Sequence, residues 1–200
     1  MFEAELQSAK IDAEVKTSDS VDKLAPHGLL FDFSRVLQIL INLVTNALKF
    51  TRHGQSRSIR LTLGVSLNRP SNDDTSATPL PRIHSDRNLR TPSTEVEVFL
   101  HFTVQDTGVG LTVEEMAMLF QRFSQASPRT HVQYGRSGLG LFNARELAEI
   151  QGGQIGVSSE YGIGTLFRFY ISTKRPQLPE FYNGSIDNLS LREKSNATPE

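Results

Sequence analysis

The sequence contains no cysteine, which excludes disulfide bridges and thiolate metal sites. It also lacks a run of about 18 apolar residues, the length that a membrane span requires. The first residues, MFEAELQSAKIDAE, carry too many charges for a signal peptide. The net charge of -1 offers no basic excess to neutralise nucleic-acid phosphates. We therefore expect a cytoplasmic chain that is held together by packing, with no nucleic-acid partner and no membrane contact from this segment.

The composition fits one globular domain with polar segments attached to it. Of the 200 residues, 38% are hydrophobic and 22% are charged. Four of the nine prolines lie in residues 69–94, which hold few large apolar side chains. We interpret residues 64–94, which include this stretch and the end of the preceding strand, as a disordered insertion. We interpret residues 174–200 as a polar disordered tail.

Helices alternate with hairpins along the rest of the chain. Asp32 is a plausible N-cap for a five-turn helix over residues 34–51, which His53-Gly54 would end. Residues 58–67 and 95–108 alternate as the strands of one hairpin, and residues 154–160 and 164–172 as those of a second. A short helix over 113–123 and a long helix over 137–151 lie between the hairpins. This order predicts an α+β fold, a two-layer sandwich whose mostly antiparallel mixed sheet is covered by helices on one face.

The first long helix carries one polar stripe, formed by Arg35, Gln38, Asn42, Asn46 and Lys49. A solvated face is the ordinary explanation of such a stripe, but asparagine is a poor helix former and a costly choice for that purpose. The rise of the helix puts Asn42 and Asn46 about 6 Å apart, so both can address one ion or phosphate. An amide oxygen suits magnesium, and Lys49 adds a charge that attracts phosphate.

A second feature, Asp106-Thr-Gly108-Val-Gly110, follows an apolar strand. Aspartate and glycine are ordinary turn residues, so the pattern alone is weak evidence for a site. A carboxylate at a strand end can nevertheless accept a hydrogen bond from an exocyclic amine such as that of adenine. The glycines would let the backbone approach a flat ring.

Two further glycine motifs complete the set. Gly138-Leu139-Gly140-Leu141 opens the second long helix, where free backbone N–H groups at the positive end of the dipole suit phosphate. Neither a βαβ unit for dinucleotides nor a GxxxxGK[ST] phosphate loop is present. In Gly162-Ile-Gly164-Thr165, a simple hairpin turn is as good an explanation as a hydroxyl aimed at a base edge. The four features in this order supply different parts of one nucleotide site.

The segments LQILINLVTNALKFT, VQDTGVGL, LFQRFSQ, YGRSGLGL and GIGTLFRFYI resemble the N, G1, F, G2 and G3 boxes of histidine kinases. The resemblance covers residues 28–173, and RELAEIQGGQIGVSSEYGIGT is similar to the hybrid sensor kinases of fungi. It implies a Bergerat-type ATP-binding fold of the superfamily that includes type II topoisomerases, mismatch-repair ATPases and a heat-shock chaperone. It also implies that residues 1–27 connect this domain to a helical hairpin.

The resemblance implies ATP and Mg²⁺ as cofactors and assigns roles to individual residues. Asn46 would hold the magnesium, Asn42 would support it and Lys49 would contact phosphate, which makes these three the catalytic set. Asp106 would bind the adenine amine, and Thr165 would reach adenine through water. The remaining ATP-binding residues would be Gly108, Gly110, Phe120, Phe123, Gly138, Leu139, Gly140 and Leu141. Residues 111–137 would form a lid, with Arg122, Arg129 and Arg136 near the phosphates.

The sequence departs from the family pattern in two respects. Arg136 stands where these kinases usually have a second glycine, and none of the five histidines has the context of the phosphoacceptor. The acceptor is therefore expected on a helical hairpin in a longer chain or in a partner, with a response-regulator receiver domain downstream.

Three functions remain open from the sequence. The first is a histidine kinase catalytic domain of two-component phosphorelay signalling. The second is an ATPase, which is disfavoured because Asn42 occupies the place of the glutamate that activates water in hydrolytic relatives, and an amide cannot accept a proton at neutral pH. The third is a nonenzymatic module that binds ATP or docks in a signalling complex.

Overall fold

The computed structural model describes residues 2–52, 54, 56–70, 96–120 and 139–176. The helices of this part are α1 (Glu3–Ala9), α2 (Asp19–Leu24), α3 (Phe33–Thr51), α4 (Val113–Met118) and α5 (Gly140–Ile150). The strands are β1 (Asp12–Thr17), β2 (Ser58–Ser66), β3 (Val96–Asp106), β4 (Gln154–Glu160) and β5 (Gly164–Arg175). In the described residues, no helix is both long and apolar enough to cross a membrane.

The five strands form one mixed sheet in the order β1-β2-β3-β5-β4. β1 runs parallel to β2, whereas the other three neighbouring pairs are antiparallel. Side chains from α3 and α5 join those of the strands in one apolar core. The predicted α+β sandwich, with a mostly antiparallel mixed sheet covered by helices, is therefore confirmed.

Helix α3 begins as its sequence predicts. The Asp32 carboxylate accepts a hydrogen bond from the backbone N–H of Arg35 at 3.1 Å, which caps the helix, and Thr51 is its last residue. Its composition suggests burial around most of the circumference, and that expectation is wrong for the first turns. Phe33 is 65% exposed and Leu37 is 40% exposed, because only one face of the helix lies on the sheet.

The centre of the sheet follows the alternation read from the sequence. Val98, Leu100 and Val104 of β3 are buried on the core face together with Phe102. The ring of Phe102 stacks on that of Phe169 in β5, with centroids 4.7 Å apart. Strands β3 and β5 therefore form the centre of the sheet, against which the helices pack.

Residues 2–27 contribute to this same fold. Strand β1 lies at the edge of the sheet, and side chains of α1 and α2 pack against the core. Their assignment as a connection to a helical hairpin stays a prediction.

Two predicted polar segments begin too early. Residues 64–66, which lie both in the predicted strand 58–67 and in the predicted insertion 64–94, continue β2, so the strand prediction is confirmed there. Lys174 and Arg175, which we assigned to the tail, end β5. Residues 71–94 of the insertion and 177–200 of the tail lie outside the described residues.

Candidate functional site

Asp106 ends β3 inside the protein, with 4% of its surface exposed. Its Oδ1 accepts a hydrogen bond from the backbone N–H of Gly108 at 2.8 Å, and the backbone N–H of Thr165 also donates to the carboxyl group. Burial raises the pKa of Asp106 from 3.8 to about 6, although these two donors act in the opposite direction. The result is a buried carboxyl group that serves as a hydrogen-bond acceptor and whose ionised form is disfavoured by its burial.

The loop after Asp106 is fixed between the end of α3 and the turn that joins β4 to β5. A Cβ atom on Gly108 would lie 2.9 Å from the carbonyl oxygen of Phe50 in α3. Gly110 has φ +66°, and a Cβ there would come within 2.0 Å of the carbonyl oxygen of Glu160. Only glycine allows both approaches, so both predicted glycines serve to seat this loop.

A hydroxyl network joins the same loop to Thr165. The backbone N–H of Leu111 donates to Ser159 Oγ at 2.9 Å, and Ser159 Oγ lies 2.9 Å from Thr165 Oγ1. Thr165 is 8% exposed and is the register partner of Asp106, so both side chains lie on one face of the sheet. The predicted residues Asp106, Gly108, Gly110 and Thr165 are thus together at one end of the sheet.

The first turn of α5 meets α3 at Asn42. A Cβ atom built on Gly140 would lie 3.4 Å from Asn42 Oδ1, an ordinary contact distance. Within the described part of the chain, the buried Nδ2 of Asn42 has no hydrogen-bond partner. Such a donor is costly to bury unless a ligand or water accepts from it. Leu139 is the N-cap of α5, and its apolar side chain makes no cap hydrogen bond to the backbone N–H groups of the first turn.

Helix α3 links these two regions. Asn42 contacts the start of α5, and Phe50, eight residues later and about 12 Å along the axis, contacts the loop that follows Asp106. Asn46 lies midway and is half-buried. Lys49 is half-buried too, with its Nζ 4.8 Å from the centroid of the Phe50 ring. The polar stripe therefore runs from Gly140 at the start of α5 to Gly108 in the loop after Asp106.

Other predicted residues have a different position or no description. Phe120 is 3% exposed, and its ring packs edge to face on Phe167 with centroids 6.3 Å apart, so it belongs to the core. Leu141 is half-buried and packs against the same core. Phe123, Gly138, Arg122, Arg129 and Arg136 lie outside the described residues.

The sequence analysis missed three residues that build the site. Phe50 borders the loop, and Ser159 joins that loop to Thr165. The Oγ1 of Thr107 accepts from the backbone N–H of Ser58 and donates to the carbonyl oxygen of Ser56, each at 2.9 Å. Position within a motif gave the only signal for these residues, because their contacts join segments that are far apart in the sequence.

Comparison with known proteins agrees with this geometry. Residues 31–175 match the family model described as histidine kinase-, DNA gyrase B-, and HSP90-like ATPase. The sensor protein GacS of Pseudomonas syringae pv. syringae is 37% identical over 162 residues, which is 81% of this chain and 15% of GacS. Hybrid signal transduction histidine kinase B of Dictyostelium discoideum is 34% identical over 151 residues, 76% of this chain and 6% of that protein.

Solved structures show the same fold. Full-length ShkA in complex with AMPPNP matches with a TM-score of 0.58 at 24% identity, over 89% of this chain and 29% of ShkA. The catalytic domain of histidine kinase ThkA matches with a TM-score of 0.51 at 23% identity, over 85% of this chain and 84% of that domain. This chain spans about a seventh of the length of the first curated relatives, which are 13–15% covered. Since the family model covers well over half of the sequence, the chain belongs to the histidine kinase-, DNA gyrase B- and HSP90-like ATPases, and its relatives are sensor histidine kinases.

Proposed function

We propose that this chain is the ATP-binding catalytic domain of a two-component sensor histidine kinase. It binds Mg-ATP and transfers the γ-phosphoryl group to a histidine on a helical hairpin, in a longer chain or in a partner. The observation that carries the proposal is the position of α3, which meets the glycine at the start of α5 through Asn42 and the loop after Asp106 through Phe50.

The two ends of this site suit the two ends of ATP. Asp106 is a buried acceptor beside glycines, which fits the exocyclic amine of adenine. The N-terminus of α5, which has no side-chain cap, would offer backbone N–H groups to phosphate oxygens. The unpartnered Nδ2 of Asn42 is a further donor on the phosphate side of the site. Asn42, Leu139 and Gly140 would thus bind phosphate, while Asp106, Gly108, Gly110 and Thr165 would bind the base.

The residues present also fit magnesium. Asn46 offers an amide oxygen midway along the stripe, and magnesium prefers one or two protein oxygens with phosphates and waters as its other ligands. When bound, the ion would neutralise charge on the phosphates. Lys49 would add a positive charge next to Asn46.

Phosphoryl transfer asks mainly for positioning and charge neutralisation, which this site supplies through amides, backbone donors and Lys49. Hydrolysis asks for a base that accepts a proton from water, and Asn42 cannot provide one. This favours a kinase over an ATPase. We further propose a receiver domain as the downstream partner and the cytoplasm as the location.

The test is to incubate this chain with radiolabelled ATP and a separately purified acceptor hairpin from a related histidine kinase. We expect label on the hairpin histidine, and none when Asn46→Ala replaces the wild type. Gln38→Ala is the matched control, because Gln38 lies on the same stripe at an exposed position. Binding of ATP without any transfer would contradict the kinase proposal and favour the nonenzymatic module, whereas free phosphate formed without the hairpin would favour the ATPase.

A further inference from the structure

Ser159, on β4, makes three contacts through a single hydroxyl group. Its Oγ donates to the carbonyl oxygen of Gly164 at 2.9 Å. It accepts from the backbone N–H of Leu111 at 2.9 Å. Its third neighbour is Thr165 Oγ1, at 2.9 Å.

The geometry alone permits either hydroxyl to donate in the Ser159–Thr165 contact, but the other two contacts decide between them. A serine hydroxyl has one proton and two lone pairs. A carbonyl oxygen only accepts, so the proton of Ser159 goes to Gly164, and a backbone N–H only donates, so Leu111 takes one lone pair. The remaining lone pair can satisfy Thr165 only if Thr165 donates. One assignment therefore satisfies all three contacts at once.

This assignment fixes what Thr165 can offer a ligand. With its proton used by Ser159, the Thr165 hydroxyl has only lone pairs left. The adjacent carboxylate of Asp106 is also an acceptor, and the backbone N–H of Thr165 already donates to it. Both side chains then present acceptors, which fits a ligand that carries hydrogen-bond donors, directly or through a bridging water.

We propose that Ser159 is a positioning residue that sets the hydrogen-bond polarity of Thr165, and that this polarity makes the pocket select 6-aminopurines over 6-oxopurines. An amino group at that position of the base donates to both acceptors, whereas a carbonyl oxygen would face two acceptors. The inference rests on the proposed nucleotide function and goes beyond it by naming the residue that sets the choice of base.

The experiment compares dissociation constants for ATP and inosine triphosphate, which differ at the six-position and in the proton on N1. Ser159→Ala frees the proton of Thr165, so the hydroxyl can turn and donate. We expect the preference for ATP over inosine triphosphate to fall by roughly three- to tenfold, the effect of about one hydrogen bond. Ser159→Thr, which keeps the hydroxyl, should restore the preference. Ser158→Ala is the matched control, because alternation places Ser158 on the other face of β4.

A double-mutant comparison separates this role from simple structural support. If Ser159 acts through Thr165, then Ser159→Ala should not change the preference further once Thr165→Val has removed the second hydroxyl. A Ser159→Ala variant that loses affinity for both nucleotides in equal proportion would overturn the inference, and so would one with an unchanged preference. Failure of the wild type to bind either nucleotide would instead overturn the proposed function itself.

Discussion

Replacing Asp106 with asparagine should stabilise the fold while weakening the site. Burial raises the pKa of Asp106 from 3.8 to about 6, so the folded protein holds this proton more tightly than the unfolded chain does. The stability that the neutral carboxyl group contributes is therefore fully present below pH 3.8. As the pH rises through 6, ionisation lowers the free energy of unfolding, and above that pH the loss is complete.

The size of the effect follows from the pKa. A rise in pKa of about two lowers the free energy of unfolding by roughly 3 kcal/mol once the group is ionised, since each tenfold change in an equilibrium constant is about 1.4 kcal/mol. Asparagine keeps one acceptor oxygen for the backbone N–H of Gly108 but is a poorer partner for that of Thr165. The loss of that hydrogen bond, about 1 kcal/mol, reduces the expected gain at pH 7.5 to about 2 kcal/mol.

The assay is urea unfolding followed by circular dichroism at pH 4 and pH 7.5. Asp106→Asn should exceed the wild type at pH 7.5 and approach it at pH 4, because Asp106 is then mostly neutral in the folded protein and close to the midpoint of its titration in the unfolded chain. Asp12→Asn, at an exposed position of β1, is the matched control for the same change of side chain. An equal difference at both pH values, or a less stable Asp106→Asn protein at pH 7.5, would refute the reasoning.

Three further substitutions test the packing of the fold, each by the free energy of unfolding. Gly110→Ala should destabilise the fold by about 2 kcal/mol or more, because φ is +66° and the new Cβ would meet the Glu160 carbonyl oxygen. Gly140→Ala should be neutral or stabilise the fold by up to about 1 kcal/mol, because Gly140 is helical and its new Cβ would meet only the Asn42 side chain at an ordinary distance. Equal effects at the two glycines would contradict this account. Glu149→Ala should cost about 3 kcal/mol, because it leaves the buried guanidinium of Arg145, now 2.9 Å from the Glu149 carboxylate, without that partner; a change below about 1 kcal/mol would show that the pair contributes little.

The sequence predicted those parts of the fold that carry a strong period or a cap. Helix α3 was placed by its apolar spacing and by Asp32, and β3 by alternation on a half-buried face. Strand β1 was not predicted as part of the sheet, because all six of its residues are exposed and an edge strand of that kind has no alternation to read. Its parallel pairing with β2 is a tertiary contact.

The candidate site was predictable where a residue type is itself unusual. Asparagine on a largely apolar helix, aspartate at the end of an apolar strand and the glycines that follow it each indicate a constraint that can be read in the sequence. Ser159 gave no such indication, since a serine in a strand is ordinary and its importance comes from contacts with Leu111 and Thr165. For the same reason, the sequence could not identify Phe167 as the partner of Phe120.

The central claim is that the amides of α3 and the carboxylate of Asp106 bind opposite ends of one nucleotide. The most direct test is titration of the wild type, Asn46→Ala and Asp106→Asn with a fluorescent ATP analogue in the presence of magnesium. The account predicts at least tenfold weaker binding in each variant, with Gln38→Ala like the wild type. Full affinity in both site variants would contradict it.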